Sequence, residues 1–344
     1  NRLMGYLQRT YRWKDNSENK YTFTAGLRAN YWDLNNQTVL SPRANIAIEP
    51  KWERDFLFRF SSGFYHQPAF YRELRNFDGQ LNKDIKAQES IHFVLGADYN
   101  FKAWGRPFKF VGEAYYKKMN NIIPYEIDNV RIRYYAENSA EAYAVGADFK
   151  VNGEFVKGVD SWVNIGFLTI QEDIKNDAYY DYFNSDGEKI VPGFTINNEP
   201  TDSVLNEPGY IPRPTDQRIN FSLFFQDYLP SNPSYQMHMT FHYGSGMPFG
   251  PPSRERYKDT LSIPPYIRVD LGFSKELIGK DTKLKANSPF RHFESVWLGI
   301  DIFNLLQRNN TLSYLWVTDV SNRQYAVPNY LTSRQLNVRL MIEF

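Results

Sequence analysis

Five histidines are the side chains best suited to hold a metal or move a proton: His66, His92, His238, His242 and His292. His238 and His242 sit four apart in a stretch that alternates like a strand, so they share a face but lie about 13 Å apart. Two ligands of one zinc must be far closer, and the pair reads as polar wall rather than metal site. No G-x-S-x-G, H-E-x-x-H or Walker loop occurs, so no catalytic residue is assigned. There is no cysteine, which removes thiolate chemistry and disulfides. The run 172–215 carries Glu172, Asp173, Asp177, Asp181, Asp186 and Glu188 around Asn184-Ser185-Asp186-Gly187. Its spacing departs from the EF-hand pattern, so a solvated turn is expected there rather than calcium. Neither a metal nor a cofactor is predicted.

The elements that must position any site are strands. The segment Arg334–Phe344 puts Leu336, Val338, Leu340, Ile342 and Phe344 on one face and Gln335, Asn337, Arg339 and Glu343 on the other. About 9–11 residues is the length a tilted strand needs to cross a bilayer. Similar alternation recurs at Tyr21–Tyr31, Pro42–Glu49, Asp55–Gln67, Ser90–Phe101, Tyr143–Val151, Trp162–Gln171, 218–226, Tyr235–Tyr243, Ile267–Ser274 and Val296–Ile302. Leu3–Trp13 and Phe108–Lys118 are strands of unsettled register; in the first, Arg9 shares a face with Leu7 and Tyr11. That makes thirteen.

Composition agrees. The chain has 25 Tyr, 26 Phe and 7 Trp, yet a mean hydropathy of −0.57. Many rings on a polar average suit strands with one lipid face, one wet face and aromatic girdles. A net charge of +1 offers no field for nucleic acid.

The connections sort by length. Short ones fall at 14–19, 51–54, 102–107, 152–160 and 229–233, and long ones at 68–88, 119–141, 172–215, 247–263 and 304–333. Only 32–41 and 277–294 blur the order. Short turns at one end and long loops at the other are the periplasmic and extracellular ends of an outer-membrane barrel. The fold expected is an all-β, antiparallel, up-and-down transmembrane barrel. Single-chain bacterial barrels have even strand numbers, so thirteen predicts a chain truncated at its N-terminus.

Tyr6-Leu7-Gln8, Phe23-Thr24-Ala25-Gly26-Leu27-Arg28, Ser41-Pro42-Arg43 and Ser62-Gly63-Phe64…Gln67-Pro68 resemble successive strands of TonB-dependent receptor barrels. Gly244-Ser245-Gly246-Met247-Pro248-Phe249 and Pro265–Phe273 are similar to blocks of the Bacteroidetes branch that carries a carboxypeptidase-regulatory-like domain. Ile302-Phe303-Asn304-Leu305-Leu306 resembles the penultimate strand. The resemblance implies that 1–344 is the C-terminal portion of the barrel domain, the last thirteen strands of about 22. Signal peptide, TonB box, plug and first strands are then elsewhere in the protein.

It also implies an outer-membrane transporter of a Gram-negative bacterium, not an enzyme. Such a receptor takes up a bulky nutrient (siderophore, cobalamin, glycan or peptide) with TonB as partner and a surface lipoprotein lid or other complex subunits as further ones. Ligand-gripping rings are expected among Tyr125, Tyr134, Tyr135, Tyr179, Tyr180, Tyr182, Tyr314, Trp316, Tyr325 and Tyr330, all on long loops; an interfacial girdle or loop packing is their other use. Arg28, Arg43, Arg59, Arg218, Arg268, Asp270, Asp301, Arg339 and Glu343, with Asp98 and Asp148, are expected to line the lumen and hold the plug. Leu336, Val338, Leu340, Ile342 and Phe344 are expected to face lipid. Lys275, Lys280, Lys283, Lys285 and Arg291 read as a solvated turn with no partner. Two rivals share part of this evidence: a barrel scaffold without transport, and a complete channel of about 14 strands of the fatty-acid-transporter kind.

Overall fold

The computed structural model describes all residues except 230–231, 253–254, 259, 280–281, 285–287 and 322, so Lys280 and Lys285 lie outside the described residues. Among the described residues thirteen long strands follow in chain order, each antiparallel to its neighbours on that path. They are β1 (Arg2–Lys14), β2 (Lys20–Trp32), β3 (Gln37–Glu49), β4 (Asp55–Gln67), β5 (Gln88–Ala103), β6 (Arg106–Ile122) and β7 (Ala140–Val156). β8 (Val159–Ile174), β9 (Ile219–Leu229), β10 (Asn232–Gly244), β11 (Tyr266–Ile278), β12 (Ser295–Phe303) and β13 (Gln335–Glu343) complete the path. The short strand Tyr210–Pro212 adds to β8 off this path. Among the described residues β1 and β13 each have one neighbour, so the sheet is open.

Cross-strand register carries the alternation from strand to strand. Arg59 stands opposite Gly96, Gly96 opposite Glu113, Glu113 opposite Asp148, Asp148 opposite Gly166, and Gly166 opposite Asn220. At the far side Asn337 and Arg339 face Asp301 and Gly299, while Leu336, Val338 and Leu340 face Ile302, Ile300 and Leu298. A slip of one residue anywhere would exchange the faces, so this concordance fixes the register. Glycines on the polar face make room: a Cβ at Gly96 would press on the Arg59 guanidinium at 3.3 Å, and one at Gly272 would enter the His238 ring.

The apolar face is bare. Leu95 is 62% exposed and Leu340 59%, where a soluble sheet would bury one face against a second layer. The two clusters of buried hydrophobics lie instead at the loop end. Trp32, Ala69, Leu74, Ile85, Ile123 and Ala136 form one cluster, and Ile122, Ala140, Ala142, Ile174 and Ile211 another. At the opposite, turn end, rings line the apolar face. Trp13 stacks on Tyr21 at 5.3 Å, Phe56 on Tyr99 at 4.2 Å, and Phe108 meets Phe101, Trp104 and Phe155 within 5.7 Å.

The register of β1 settles with Tyr6 opposite Arg28 and Arg9 opposite Ala25. Arg9 therefore stays on the apolar face, its guanidinium 4.4 Å from the Tyr11 ring centre, so the cation rests on an aromatic face. β3 begins at Gln37 rather than Pro42, because Thr38 and Val39 pair with Tyr31 and Asn30, leaving a connection of only 33–36. Pro42 is tolerated mid-strand because β4 joins β3 only from Arg43 onward, so no donor is missed on that side. Between β5 and β6, Trp104 (φ 52°) and Gly105 (φ 74°) make a two-residue turn with both φ positive, the geometry that matches strand twist.

Candidate functional site

The long connections are not structureless. Hairpins form at Tyr125–Asp128 with Arg131–Tyr134, at Tyr179–Phe183 with Asp202–Asn206, at Pro248–Phe249 with Leu261–Ser262, and at Thr311–Thr318 with Gln324–Tyr330. These were expected as plain loops, although alternation in Thr311–Thr318 and the Asp128-Asn129 turn pair could have signalled them. The hairpins hold one another. Asn129 Oδ1 accepts from Ser313 Oγ at 2.9 Å and Asn329 Nδ2 at 2.6 Å, and Arg323 Nε donates to the Gly193 carbonyl at 2.8 Å. Asn82 Nδ2 reaches the Ala136 carbonyl, and Asn138 exchanges hydrogen bonds with Lys86.

Beneath this cap, at the loop end of the sheet, lies a cleft of about 700 Å³ lined by Arg28, Tyr65, His66, Glu89, His92, Tyr125, Tyr134 and Arg213 among others. It brings two of the expected loop rings, Tyr125 and Tyr134, together with one expected lumen arginine, Arg28. The two rings face each other across their hairpin at 5.9 Å, and Arg213 lies 5.4 Å from the Tyr125 ring centre. Burial pushes the Tyr134 hydroxyl upward, which keeps it a neutral donor. On the floor His66 is held between Ser41 Oγ at 3.0 Å and Glu89 Oε2 at 3.1 Å, with Asn120 donating to the other Glu89 oxygen at 2.8 Å. Tyr65 stacks on His92 at 4.2 Å and carries the Arg43 guanidinium at 4.7 Å. The arrangement offers flat rings and fixed hydrogen-bonding groups to a ligand. The His66–Glu89 pair was not foreseen, because its strands meet through a connection of 20 residues, 68–87.

The remaining rings disperse. Tyr135 packs on Phe77 at 5.0 Å with its hydroxyl shielded, and burial beside Glu126 pushes that hydroxyl up to about 12. Tyr179 meets Tyr257 at 5.9 Å, and Tyr314 and Trp316 flank Phe249 at 4.3 and 6.1 Å. Tyr180, Tyr182, Tyr325 and Tyr330 are exposed.

Glu172 requires a correction. It was expected in a solvated acidic loop, yet it ends β8 with no exposure, between Arg213 Nε at 3.3 Å and the Arg256 guanidinium. Burial lowers the pKa of both arginines; Tyr125 and Glu73 oppose this at Arg213, and Tyr135, Tyr125 and Glu126 at Arg256. Asp181 pairs with Lys189 at 2.8 Å. Among the described residues the acids of this loop do not converge as a metal-binding group.

The polar face forms ion-pair clusters. Arg59 lies 2.7 Å from Asp98 and 3.1 Å from Glu113, with Lys109 also 2.8 Å from Asp98. Asp301 receives His238 at 3.4 Å and Arg339 at 4.0 Å, and Asn337 donates to it at 3.4 Å. Arg268 pairs with Asp270 at 2.7 Å, Arg218 with Asp216 at 2.8 Å, Glu343 accepts from Ser295 Oγ at 2.7 Å, and Arg28 meets the Met4 sulfur. Lys275, expected in the basic turn, belongs instead to β11, where it pairs with β10 and lies over Tyr235.

Residues 2–305 match a family described as TonB dependent receptor-like, beta-barrel. Among solved structures, the FrpB iron transporter from Neisseria meningitidis is similar at 13% identity and a TM-score of 0.58, covering 98% of this chain and 44% of that one. A mutant of the ferric enterobactin receptor PfeA from Pseudomonas aeruginosa, in complex with enterobactin, is similar at 14% identity and 0.58, covering 98% and 45%. The outer membrane transporter YddB from Escherichia coli gives 14% and 0.56, covering 95% and 45%. At these identities the likeness is one of fold, and the chain spans less than half the length of each. No curated protein matches it.

Proposed function

The chain belongs to the family of TonB dependent receptor-like β-barrels, and on that premise we propose that it is the C-terminal wall of an outer-membrane receptor that imports a bulky nutrient. The rest of the same protein supplies the plug and the first strands, and TonB drives the transport step. The polar face lines the lumen, where Arg59, Arg268, Arg339 and their carboxylates hold the plug; the bare apolar face, including Leu336, Val338, Leu340, Ile342 and Phe344, meets lipid. The hairpin end is extracellular. The motif blocks of the sequence favour the Bacteroidetes branch, with a siderophore, glycan or peptide as cargo and a surface lipoprotein as a further partner.

The observation that carries the reading is the cleft. Tyr125 and Tyr134, from an outer hairpin, and Arg28, from the polar face, line one space at the mouth of the wall. Growth of a deletion strain on single nutrients identifies the cargo. Binding of that nutrient to the complete protein should then weaken about tenfold in the Tyr125→Ala, Tyr134→Ala double variant, the loss expected of central aromatic contacts. Unchanged growth on every nutrient, together with loss of a co-purifying partner, would favour the scaffold instead. Equal affinity in the double variant would move the binding site away from this cleft.

A further inference from the structure

Besides Arg9, the apolar face carries a carboxylate and an ammonium near its turn end, where the lipid-facing reading wants no charge. Asp227, on β9, stands opposite Met237 on β10, and Lys275, on β11, stands opposite Tyr235 and Leu298. Both belong to the apolar rows of their strands. Among the described residues no base lies within ion-pairing distance of Asp227 and no carboxylate within that distance of Lys275. The Lys275 ammonium lies 3.9 Å from the Tyr235 ring centre and touches Ser234 Oγ, neither of which neutralises it. Between them runs a trough of about 470 Å³ whose apolar floor includes Met237, Phe273, Leu298 and Ile300. The trough lies at the turn end, its lining reaching Tyr228 and Leu229 at the end of β9 and Lys275 near the end of β11.

We propose that this trough binds one zwitterionic aminophospholipid of the inner leaflet. An acyl chain fits the floor. Lys275 takes the phosphate and Asp227 the primary ammonium, so each unpaired charge at the membrane rim gains a partner of opposite sign. A headgroup that is only anionic would place charge against Asp227. A choline headgroup has no N–H to donate to that carboxylate. Tyr235 sits at the rim, as rings of an interfacial belt do. The proposal rests on the reading of the apolar face as lipid-facing.

The test uses the complete protein, purified and delipidated in detergent, then titrated with dioleoyl phosphatidylethanolamine, phosphatidylcholine or phosphatidylglycerol and followed by native mass spectrometry. One phosphatidylethanolamine should be retained at low lipid. Lys275→Gln and Asp227→Asn should each weaken retention about fivefold, the factor one charge at a headgroup layer contributes. Ile300→Trp, which fills the floor without touching a charge, should expel the lipid as well. Equal retention of the three lipids, preference for phosphatidylglycerol, or variants that hold lipid like the parent would each overturn the site. Heat-dependent mobility in gels and outer-membrane fractionation report the barrel itself. A chain that fails both defeats the membrane reading, whereas an inserted barrel without the selected lipid defeats this inference alone.

Discussion

Glu172, shielded from solvent at the end of β8, lies 3.3 Å from Arg213, which in turn stands 5.4 Å from the ring of Tyr125 in the cleft wall. Arg256 closes on the other Glu172 oxygen and donates to the Pro212 carbonyl at 2.8 Å. One carboxylate thus ties the connections 123–139, 175–218 and 245–265 to the end of a strand. Its burial is sustained only because two guanidiniums accompany it; a lone buried carboxylate would neutralise itself by taking a proton.

Glu172→Ala should leave two buried cations without their anion, at a cost of about 3–5 kcal/mol confined to the loop cap. Hydrogen exchange in the complete protein should quicken at Tyr125–Asp128 and Tyr210–Pro212 while β1 to β5 keep their protection. Protection unchanged at both segments would mean the ion pairs do not hold the cap.

Tyr135 supplies a pH dependence. Burial is the main cause that pushes its hydroxyl up to about 12 from the ordinary value of 10.0, with Glu126 adding to it. Because the folded state raises the pKa, the loop is favoured below pH 10 and loses that advantage as pH rises toward 12. Loop hydrogen exchange, corrected for its intrinsic pH dependence, should therefore rise through this window. The Tyr135→Phe variant should lack the rise, and its phenolate absorbance should show one tyrosine fewer than the parent titrating near pH 12. A parent and variant with the same profile would assign the opening to other groups.

Asn129 joins hairpins that are far apart in sequence, accepting from Ser313 and Asn329. Asn129→Ala should cost about 1–2 kcal/mol, since two donors lose their acceptor in a partly buried place. The effect should appear as a tryptic cut at Arg323 that the parent resists. Resistance equal to the parent's would show that the Phe249 stack on Tyr314 and Trp316 is sufficient to hold that hairpin.

Thirteen long strands, and the faces of all but β1 and β6, were legible because alternation is a local property, written in each segment before any partner is known. Phe64 and Gly63 could be sorted without knowing that Gly63 would face Arg43. Partners were not legible in this way. Nothing near Glu172 in sequence announces Arg256, and its acidic neighbours suggested solvent. Arg9 spoiled the reading of β1, because local pattern treats a charge as wet, while the register with Ala25 and the ring of Tyr11 let it lie on the apolar face. Of the ten loop rings, the sequence could give only their end of the wall. That Tyr125 and Tyr134 line a cleft, while Tyr135 is turned into packing against Phe77, is decided by a hairpin and by contacts from 68–87.

The terminal strand gives the sharpest test of the two faces. Leu340 stands opposite Leu298 in the apolar row, and Arg339, one residue away, lies 4.0 Å from Asp301 in the polar row. If the apolar row meets hydrocarbon, Leu340→Arg in the complete protein should cost about 2–4 kcal/mol when the barrel folds into vesicles, the depth-dependent penalty of a cation near the midplane. Asn337→Arg, on the other row, enters a wet space beside the Asp301 carboxylate and should change folding by less than about 1 kcal/mol. The two substitutions add the same group three residues apart, so propensity and chain position nearly cancel and the difference reports the surroundings. A larger penalty at Asn337 than at Leu340 would exchange lumen and lipid along the whole sheet, because cross-strand register links β1 to β13 and its irregularities fall at strand ends. Equal and small penalties would instead place both faces in water.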